Sequence, residues 1–185
     1  MGWLDAILGR SQPAQPNLDA LFALPSAAVT LQAATGLEPT GLGSVAFRAA
    51  EGSAFATLER DVKALLGDRV EEFTDSYGYT WLFVRRAPDQ VGELVTELHA
   101  VNSSLEGAGF GPSLLCSLVS FADANARRLA VVYLYKRGTF YPFAPLTGQK
   151  RDNALELRAR GALAGELPLE DDLNRWFPVW GAPGL

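Results

Sequence analysis

The chain has 185 residues, of which 48% are hydrophobic and 20% are charged, and its formal net charge is −5. This composition supports one globular domain and excludes intrinsic disorder, a collagen repeat and a coiled-coil rod. The single cysteine, Cys116, and the single histidine, His99, exclude an internal disulfide and a zinc site built from several Cys or His ligands.

The N-terminal segment combines an amphipathic pattern with a proline-containing linker, so we assign residues 1–16 to a short helix and a linker. The helix presents four apolar side chains at helical spacing: Trp3, Leu4, Ile7 and Leu8. Such a helix either contacts a membrane interface or docks on its own domain or on a partner. The segment lacks the pattern of a secretory signal, and we find no stretch apolar enough to span a membrane. We therefore expect a cytoplasmic protein, with peripheral contact at the inner membrane face as the alternative.

Residues 17–150 combine helical and strand patterns and are assigned to the core domain. Capping residues and apolar spacing predict helices over 17–24, 26–34, 53–66 and 89–107. The second of these segments leaves a strand open as the alternative. Apolar and β-branched runs predict strands over 45–47, 114–121 and 129–143, the last interrupted at Gly138. One strand, or two strands joined by a turn near Asp75 and Ser76, is predicted within 70–86.

Residues 151–185 are predicted to pack on this core as C-terminal helices and an aromatic tail. The helices are expected over 153–163 and 170–176, and the tail contains Trp176 and Trp180. Because the strands cluster as hairpins between helices, the pattern indicates an α+β fold with a single, mainly antiparallel sheet flanked by amphipathic helices.

Two predicted strands each carry an aromatic and an aliphatic face, because successive strand side chains point to opposite sides. In the first strand Tyr79 and Trp81 share one face, and in the second Tyr133 and Tyr135 do. The aromatic face is either covered by helices or the C-terminal tail, or it is a partly exposed platform that binds a partner. For the second case we predict five contact residues: Tyr79, Trp81, Tyr135, Phe140 and Trp180.

The sequence offers little for catalysis. It contains no nucleophile-elbow, phosphate-loop or dinucleotide-binding motif, and we predict no cofactor and no metal. Cys116 and His99 are the one pair that could form a small catalytic cleft, although Cys116 lies in an apolar strand. Basic pairs such as Lys136–Arg137 are interpreted as solvated strand ends, with contact to an anionic partner or a lipid headgroup as the alternative, and nucleic-acid binding is not expected.

Long strings along the chain carry a family resemblance. They are MGWLDAILGR, NLDALFALPSAAVTLQAATGL, DSYGYTWLFVRR, ELHAVNSSLEGAGFGPSLLCSLVSF, AVVYLYKRGTFYPFAPL, KRDNALEL and LNRWFPVWGAPGL. Together they resemble the PspA-associated protein PspAB family, which is linked to the phage-shock envelope-stress system. The order of elements is also similar in shape to YbjN-like domains and type III secretion chaperones, which is an analogy of fold only.

The resemblance implies a non-catalytic, cytoplasmic accessory of PspA, the coiled-coil protein that coats stressed inner membrane. It implies a membrane zinc metalloprotease as a second candidate partner. The alternatives are a membrane-surface sensor that uses the N-terminal helix and, last, a small enzyme that uses Cys116 and His99. Neither the residues nor the resemblance determines the oligomeric state.

Overall fold

The computed structural model describes residues 14–185, in which four α-helices and eight β-strands alternate with short 3-10 turns. The helices are α1 (Leu24–Thr35), α2 (Ser53–Leu66), α3 (Val91–Gly107) and α4 (Asn153–Leu163). The strands are β1 (Glu38–Phe47), β2 (Val70–Thr74), β3 (Thr80–Arg85), β4 (Leu114–Ala122), β5 (Arg128–Leu134), β6 (Thr139–Phe143), β7 (Pro145–Leu146) and β8 (Lys150–Arg151). The 3-10 turns are Leu18–Ala23, Gly67–Arg69, Gly111–Ser113, Tyr135–Arg137 and Leu173–Arg175.

Six strands form one sheet in the order β2-β3-β1-β4-β5-β6, and every neighbouring pair is antiparallel. Strands β7 and β8 form a separate two-stranded ribbon. Hairpins join β2 to β3, β4 to β5 and β5 to β6, as expected for an antiparallel sheet. The structure therefore confirms an α+β fold with a mainly antiparallel sheet and flanking helices.

The first face of the sheet is buried beneath the helices. Helix α3 lies against β1, and glycine at position 43 permits this close approach. A Cβ atom at Gly43 would lie 2.9 Å from the carbonyl oxygen of Leu118 and 3.0 Å from Cδ1 of Leu98. The residue spacing predicts one inward face for this helix, and its members are all buried: Val91, Leu94, Val95, Leu98, Asn102 and Leu105.

Helix α4 extends the helix layer beyond residue 150. It packs against α1 and β6, and the Thr30 hydroxyl donates to Glu166 Oε1 at 2.8 Å just after the helix. The side chain of Asp152 caps its first turn by accepting from the amide of Leu155 at 2.9 Å. The C-terminal region thus contributes to both faces of the sheet: α4 on this one and the tail on the other.

Several predicted boundaries change in the structure. The segment 26–34 is helical rather than a strand, and the interruption predicted at Gly138 is the turn Tyr135–Arg137 with Gly138 directly after it, which divides residues 129–143 into β5 and β6. The helix predicted over 170–176 is wrong, since only the turn Leu173–Arg175 forms there. Its first residue instead pairs with the sheet, because the Glu170 amide donates to the Phe140 carbonyl at 2.8 Å.

The segment Leu18–Thr35 contradicts the expectation that no stretch is apolar enough to span a membrane. By length and composition alone it could cross a membrane. In the fold it contributes Leu21, Leu24 and Leu31 to the core beneath α3 and α4, as a core helix of a globular domain does. The N-terminal helix and most of the linker predicted within residues 1–16 lie outside the described residues.

A buried carboxylate fastens α3 to the edge of the sheet. Glu97 accepts hydrogen bonds from Arg69 Nε at 3.1 Å and from Arg86, whose Nε and Nη2 atoms lie 3.0 and 2.6 Å from its oxygens. Both arginines approach from elements flanking β2 and β3. Charge-assisted bonds of this kind are stronger than neutral ones, so Glu97 couples the helix layer to that edge.

We predict that Glu97→Gln lowers the free energy of unfolding by about 2 kcal/mol, because a neutral amide cannot replace the charge-assisted bonds to two guanidinium groups. Urea denaturation followed by circular dichroism measures the loss. The matched control is Glu93→Gln, at an exposed position on the same helix, which should change stability little. Equal losses for the two variants would contradict the coupling role of Glu97.

Candidate partner-binding site

The second face of the sheet has small side chains at its centre. Ala46, Cys116 and Ala130 lie on three adjacent strands, β1, β4 and β5, and all three are buried in one apolar cluster with Leu118 and Val132. Small side chains leave a shallow surface on which a chain without regular structure can lie close to the sheet. In the described residues no helix belongs to this cluster.

The cover of this face is the end of the chain, residues 176–185, which we name the strap. It begins at β6, where Trp176 stacks on Tyr141 with ring centroids 6.0 Å apart. Trp180 then meets Phe143 edge-on at 4.9 Å. The strap ends over β3, where a Cβ atom at Gly184 would lie 2.7 Å from the ring of Phe83, so glycine permits the contact.

Hydrogen bonds fix the start of the strap. The Trp176 indole donates to the Glu170 carbonyl at 3.0 Å, and Arg151 Nη1 donates to the Trp176 carbonyl at 2.6 Å. The Tyr141 hydroxyl donates to the Phe177 carbonyl at 2.7 Å. Burial raises the pKa of that hydroxyl far above its ordinary value, so it remains a donor across the physiological range.

The Glu170 carboxylate lies at the base of the strap and is buried. It accepts from the Arg137 guanidinium, from the Thr139 hydroxyl at 2.9 Å and from the Asp172 amide at 3.2 Å. Desolvation alone would raise the pKa of Glu170, but these hydrogen bonds outweigh it and hold the pKa below its ordinary value. The ionised carboxylate therefore stabilises the fold.

A tight turn orients the aromatic residues opposite the strap. The Asp75 carboxylate accepts from the amides of Tyr77 and Tyr79 and from the indole of Trp81, each at 2.9 Å. Desolvation raises the pKa of Asp75, but the bonds from the indole and the amides overcome that effect and lower it. The turn thus holds Tyr79 and Trp81 towards the strap.

Two connected grooves follow the margin of the strap. The first, which we name the basic groove, has a volume of about 560 Å³ and is rimmed by Arg48, Lys136, Arg137 and Arg175. The second, the aromatic groove, measures about 420 Å³ and is lined by Tyr77, Trp81, Cys116, Val179 and Trp180, among others. The two grooves share a lining of Tyr79, Leu115, Leu134 and Phe177.

Tyr79 is central to both grooves. Its side chain is half-buried, and the Arg48 guanidinium lies over its ring at 4.6 Å from the centroid. Phe177 of the strap, which also lines both grooves, is 57% exposed. The two aromatic rings therefore provide accessible apolar surface within the lining that the grooves share.

The structure divides the five predicted contact residues between the two faces of the sheet. Tyr79, Trp81 and Trp180 lie on the strap face, with Trp81 buried in the groove wall. Phe140 and Tyr135 belong instead to the core beneath the helices, where the Tyr135 hydroxyl donates to Glu106 of α3. The expectation of one continuous aromatic surface is therefore wrong.

The reason is the register of the strands. Trp81 of β3 pairs with Ala46, a strap-face residue. Tyr133 of β5 pairs with Ser117, whose side chain accepts from Asn102 of α3 on the helix side. Alternation within one strand cannot show which of its faces matches which face of a distant strand.

The Cys116 and His99 cleft does not form. Cys116 lies on the strap face, and burial together with the charge of Asp75 raises the pKa of its thiol to about 12. His99 is on α3, on the opposite side of the sheet, where its ring nitrogens lie 3.2 Å from Asp19 Oδ1 and Ser103 Oγ. A buried thiol without a nearby base is not an activated nucleophile. Residues 14–185 also contain no cluster of three or more His, Cys, Asp or Glu side chains suited to a metal.

Sequence reasoning missed the basic rim. The sequence marks Lys136 and Arg137 as a basic pair, for which an anionic partner is only the alternative interpretation, and it carries no signal for Arg48 or Arg175. These residues come from the end of β1, the turn between β5 and β6, and the turn before the strap. Only the tertiary fold brings these three segments together, so no local pattern could have revealed the rim.

Together the fold and the grooves define an α+β protein with an accessible surface of aromatic and basic side chains. A family model, PspAB, described as PspA associated protein B, matches residues 1–184. The chain therefore belongs to the PspAB family. The family's description indicates association with PspA, which agrees with an accessory role.

Comparison with curated proteins found no match. Comparison with solved structures likewise found none. The likeness in shape to YbjN-like domains and secretion chaperones therefore stays a prediction.

We predict that Glu170→Gln lowers the free energy of unfolding by about 2 kcal/mol at pH 7. The folded-state pKa of Glu170 is depressed, so its contribution is complete above the unfolded value of about 4.3 and is lost as the pH falls through the folded value. The difference between wild type and variant in urea denaturation should therefore shrink below that pH. Asp171→Asn, at the exposed neighbouring position, is the control and should show no comparable loss at pH 7. A pH-independent difference would contradict the role of the charge.

Cys116 is a natural reporter of strap opening, because it is the one cysteine of the chain and lies in the wall of the aromatic groove. We predict that Trp180→Ala accelerates its alkylation about ten-fold in native buffer, since removing the ring lowers the free energy of local opening by ~1.4 kcal/mol. Mass spectrometry follows the reaction. Leu173→Ala, at an exposed residue before the strap, is the control. If alkylation rates follow only the global unfolding free energies of the variants, the strap does not open locally.

Proposed function

We propose that this protein is a non-catalytic adaptor of the PspA envelope-stress response that binds a segment of a PspA-like coiled-coil protein along the strap. The observation that carries the proposal is the half-buried Tyr79 ring, which lies where the basic and aromatic grooves join. It shares the lining of both grooves with the exposed Phe177 ring and with Leu115 and Leu134. Large aromatic side chains in such positions supply much of the binding energy of protein interfaces.

The absence of a Cys116–His99 cleft supports an adaptor rather than an enzyme. A binding role needs only surface complementarity, which two connected grooves with apolar walls can provide. The family description supplies the candidate partner, PspA. A membrane zinc metalloprotease is a second candidate partner, and it rests on the family resemblance alone.

The proposal includes a cytoplasmic location, where a PspA-like partner is expected. The predicted contact of Trp3, Leu4, Ile7 and Leu8 with a membrane surface lies outside the described residues and stays a prediction. Fractionation of cells expressing the full-length protein, with and without envelope stress, tests the location. Recovery mainly in the soluble fraction under both conditions supports cytoplasmic residence without stable membrane contact.

We predict that Tyr79→Ala weakens binding to the PspA protein of the same genome about 30-fold, the effect of losing ~2 kcal/mol at an aromatic hot spot. Titration calorimetry or surface plasmon resonance with the full-length proteins measures the change. Phe22→Ala is the matched control, because Phe22 is an exposed aromatic residue on the helix side, where it packs on His99. Circular dichroism verifies that both variants fold.

Two outcomes would contradict the proposal. The first is the absence of binding between the wild-type proteins at low salt and in the presence of membranes. The second is an equal loss for Tyr79→Ala and Phe22→Ala, which would place the contact elsewhere or show a general effect on the fold.

A further inference from the structure

The basic groove differs in charge from the rest of the molecule. The chain carries a net charge of −5, but the described residues that line this groove include four cationic side chains and no carboxylate. Two of the cations already have ionic partners: Arg137 pairs with the buried Glu170, and Arg175 lies 3.2 Å from Asp172. The other two, Arg48 and Lys136, are exposed and have no ionic partner within residues 14–185.

The floor of this groove is apolar. Pro112, Leu115 and Leu134 line it, and the rings of Tyr79 and Phe177 flank it. The exposed Arg48 guanidinium lies over the Tyr79 ring, so a positive charge lies directly beside the apolar surface. A ligand that fits must therefore combine apolar side chains with negative charge at the rim.

From this arrangement we infer that the basic groove recognises an acidic, amphipathic segment of a partner protein, with apolar side chains between Tyr79 and Phe177 and carboxylates facing Arg48 and Lys136. This inference rests on the proposed function and adds the chemistry of the segment that is bound. Complementary rim charges accelerate association and select among partners, while the apolar floor supplies most of the affinity.

A peptide is favoured over the other polyanions. Interfaces that bind nucleic acids are broadly basic and polar. Among the described residues this groove has only two cations without an ionic partner, its floor is apolar, and the chain as a whole is acidic. It is therefore poorly suited to binding a phosphate backbone. A groove flanked by two aromatic rings is suited to inserted side chains. An anionic membrane remains a distinct outcome, which the experiment below separates.

The test uses the full-length protein and two labelled probes. One is a fluorescein-labelled amphipathic helical peptide of Glu, Leu and Ala, and the other has Lys in place of every Glu. We expect fluorescence anisotropy to show binding of the acidic peptide, weaker binding at higher ionic strength and little binding of the basic peptide. The double variant Arg48→Glu, Lys136→Glu should weaken the acidic peptide about ten-fold or more.

The matched control is the double variant Arg158→Glu, Lys150→Glu, which makes the same change of net charge outside the lining of the groove. It should leave peptide binding nearly unchanged. Equal losses for the two double variants would show a general field effect and overturn the inference, as would equal binding of the acidic and basic peptides.

Two further arms separate the alternatives. The first arm measures binding to vesicles of phosphatidylglycerol and phosphatidylethanolamine. If the vesicles bind the wild type but not the Arg48→Glu, Lys136→Glu variant, and the acidic peptide does not bind, the groove is a membrane site and the inference is overturned. Titration of PspA separates the inference from the proposed function. If Tyr79→Ala abolishes PspA binding and the charge-reversed variant binds like wild type, the proposed function stands and the acidic-segment inference fails.

Discussion

The fold depends on one constraint: a single sheet must be covered on both faces, and the helices cover only one of them. Ten C-terminal residues cover the second face, with much less apolar material than the helix layer supplies. This is possible because Ala46, Cys116 and Ala130 are small, so the strap can lie close to the strands. The start of the strap is held by Glu170, whose carboxylate pairs with Arg137 and whose carbonyl accepts a hydrogen bond from the Trp176 indole.

The unequal cover also determines where the accessible site is. Under the helices, Tyr133 and Phe140 are fully enclosed. Along the margin of the strap, Tyr79 and Phe177 retain exposed surface because a narrow segment cannot cover the whole face. Arg137 pairs with Glu170 at the base of the strap and also lies on the rim of the basic groove. One residue therefore both helps to hold the strap and contributes positive charge to the groove.

The sequence predicted those features that depend on local pattern. The apolar spacing from Val91 to Leu105 predicted α3 and its buried stripe, and the Asp75 turn was anticipated as a break between two strands. The register between distant strands carries no local signal, so Tyr135 and Phe140 were grouped with Trp81 although they lie across the sheet. The basic rim was missed for the same reason, because Arg48, Lys136 and Arg175 belong to three separate segments.

The edges of the sheet offer less to a partner than its second face does. The outer edge of β6 is partly occupied, since Phe140 pairs with the segment Pro168–Glu170. The opposite edge strand, β2, is only five residues long and carries Glu71 and Glu72, and short charged edge strands discourage the addition of a further strand. The proposed binding along the strap avoids both obstacles, because the aromatic and basic side chains are already in place and the sheet need not open. A partner segment therefore loses less free energy to rearrangement of this protein at the grooves than at either edge.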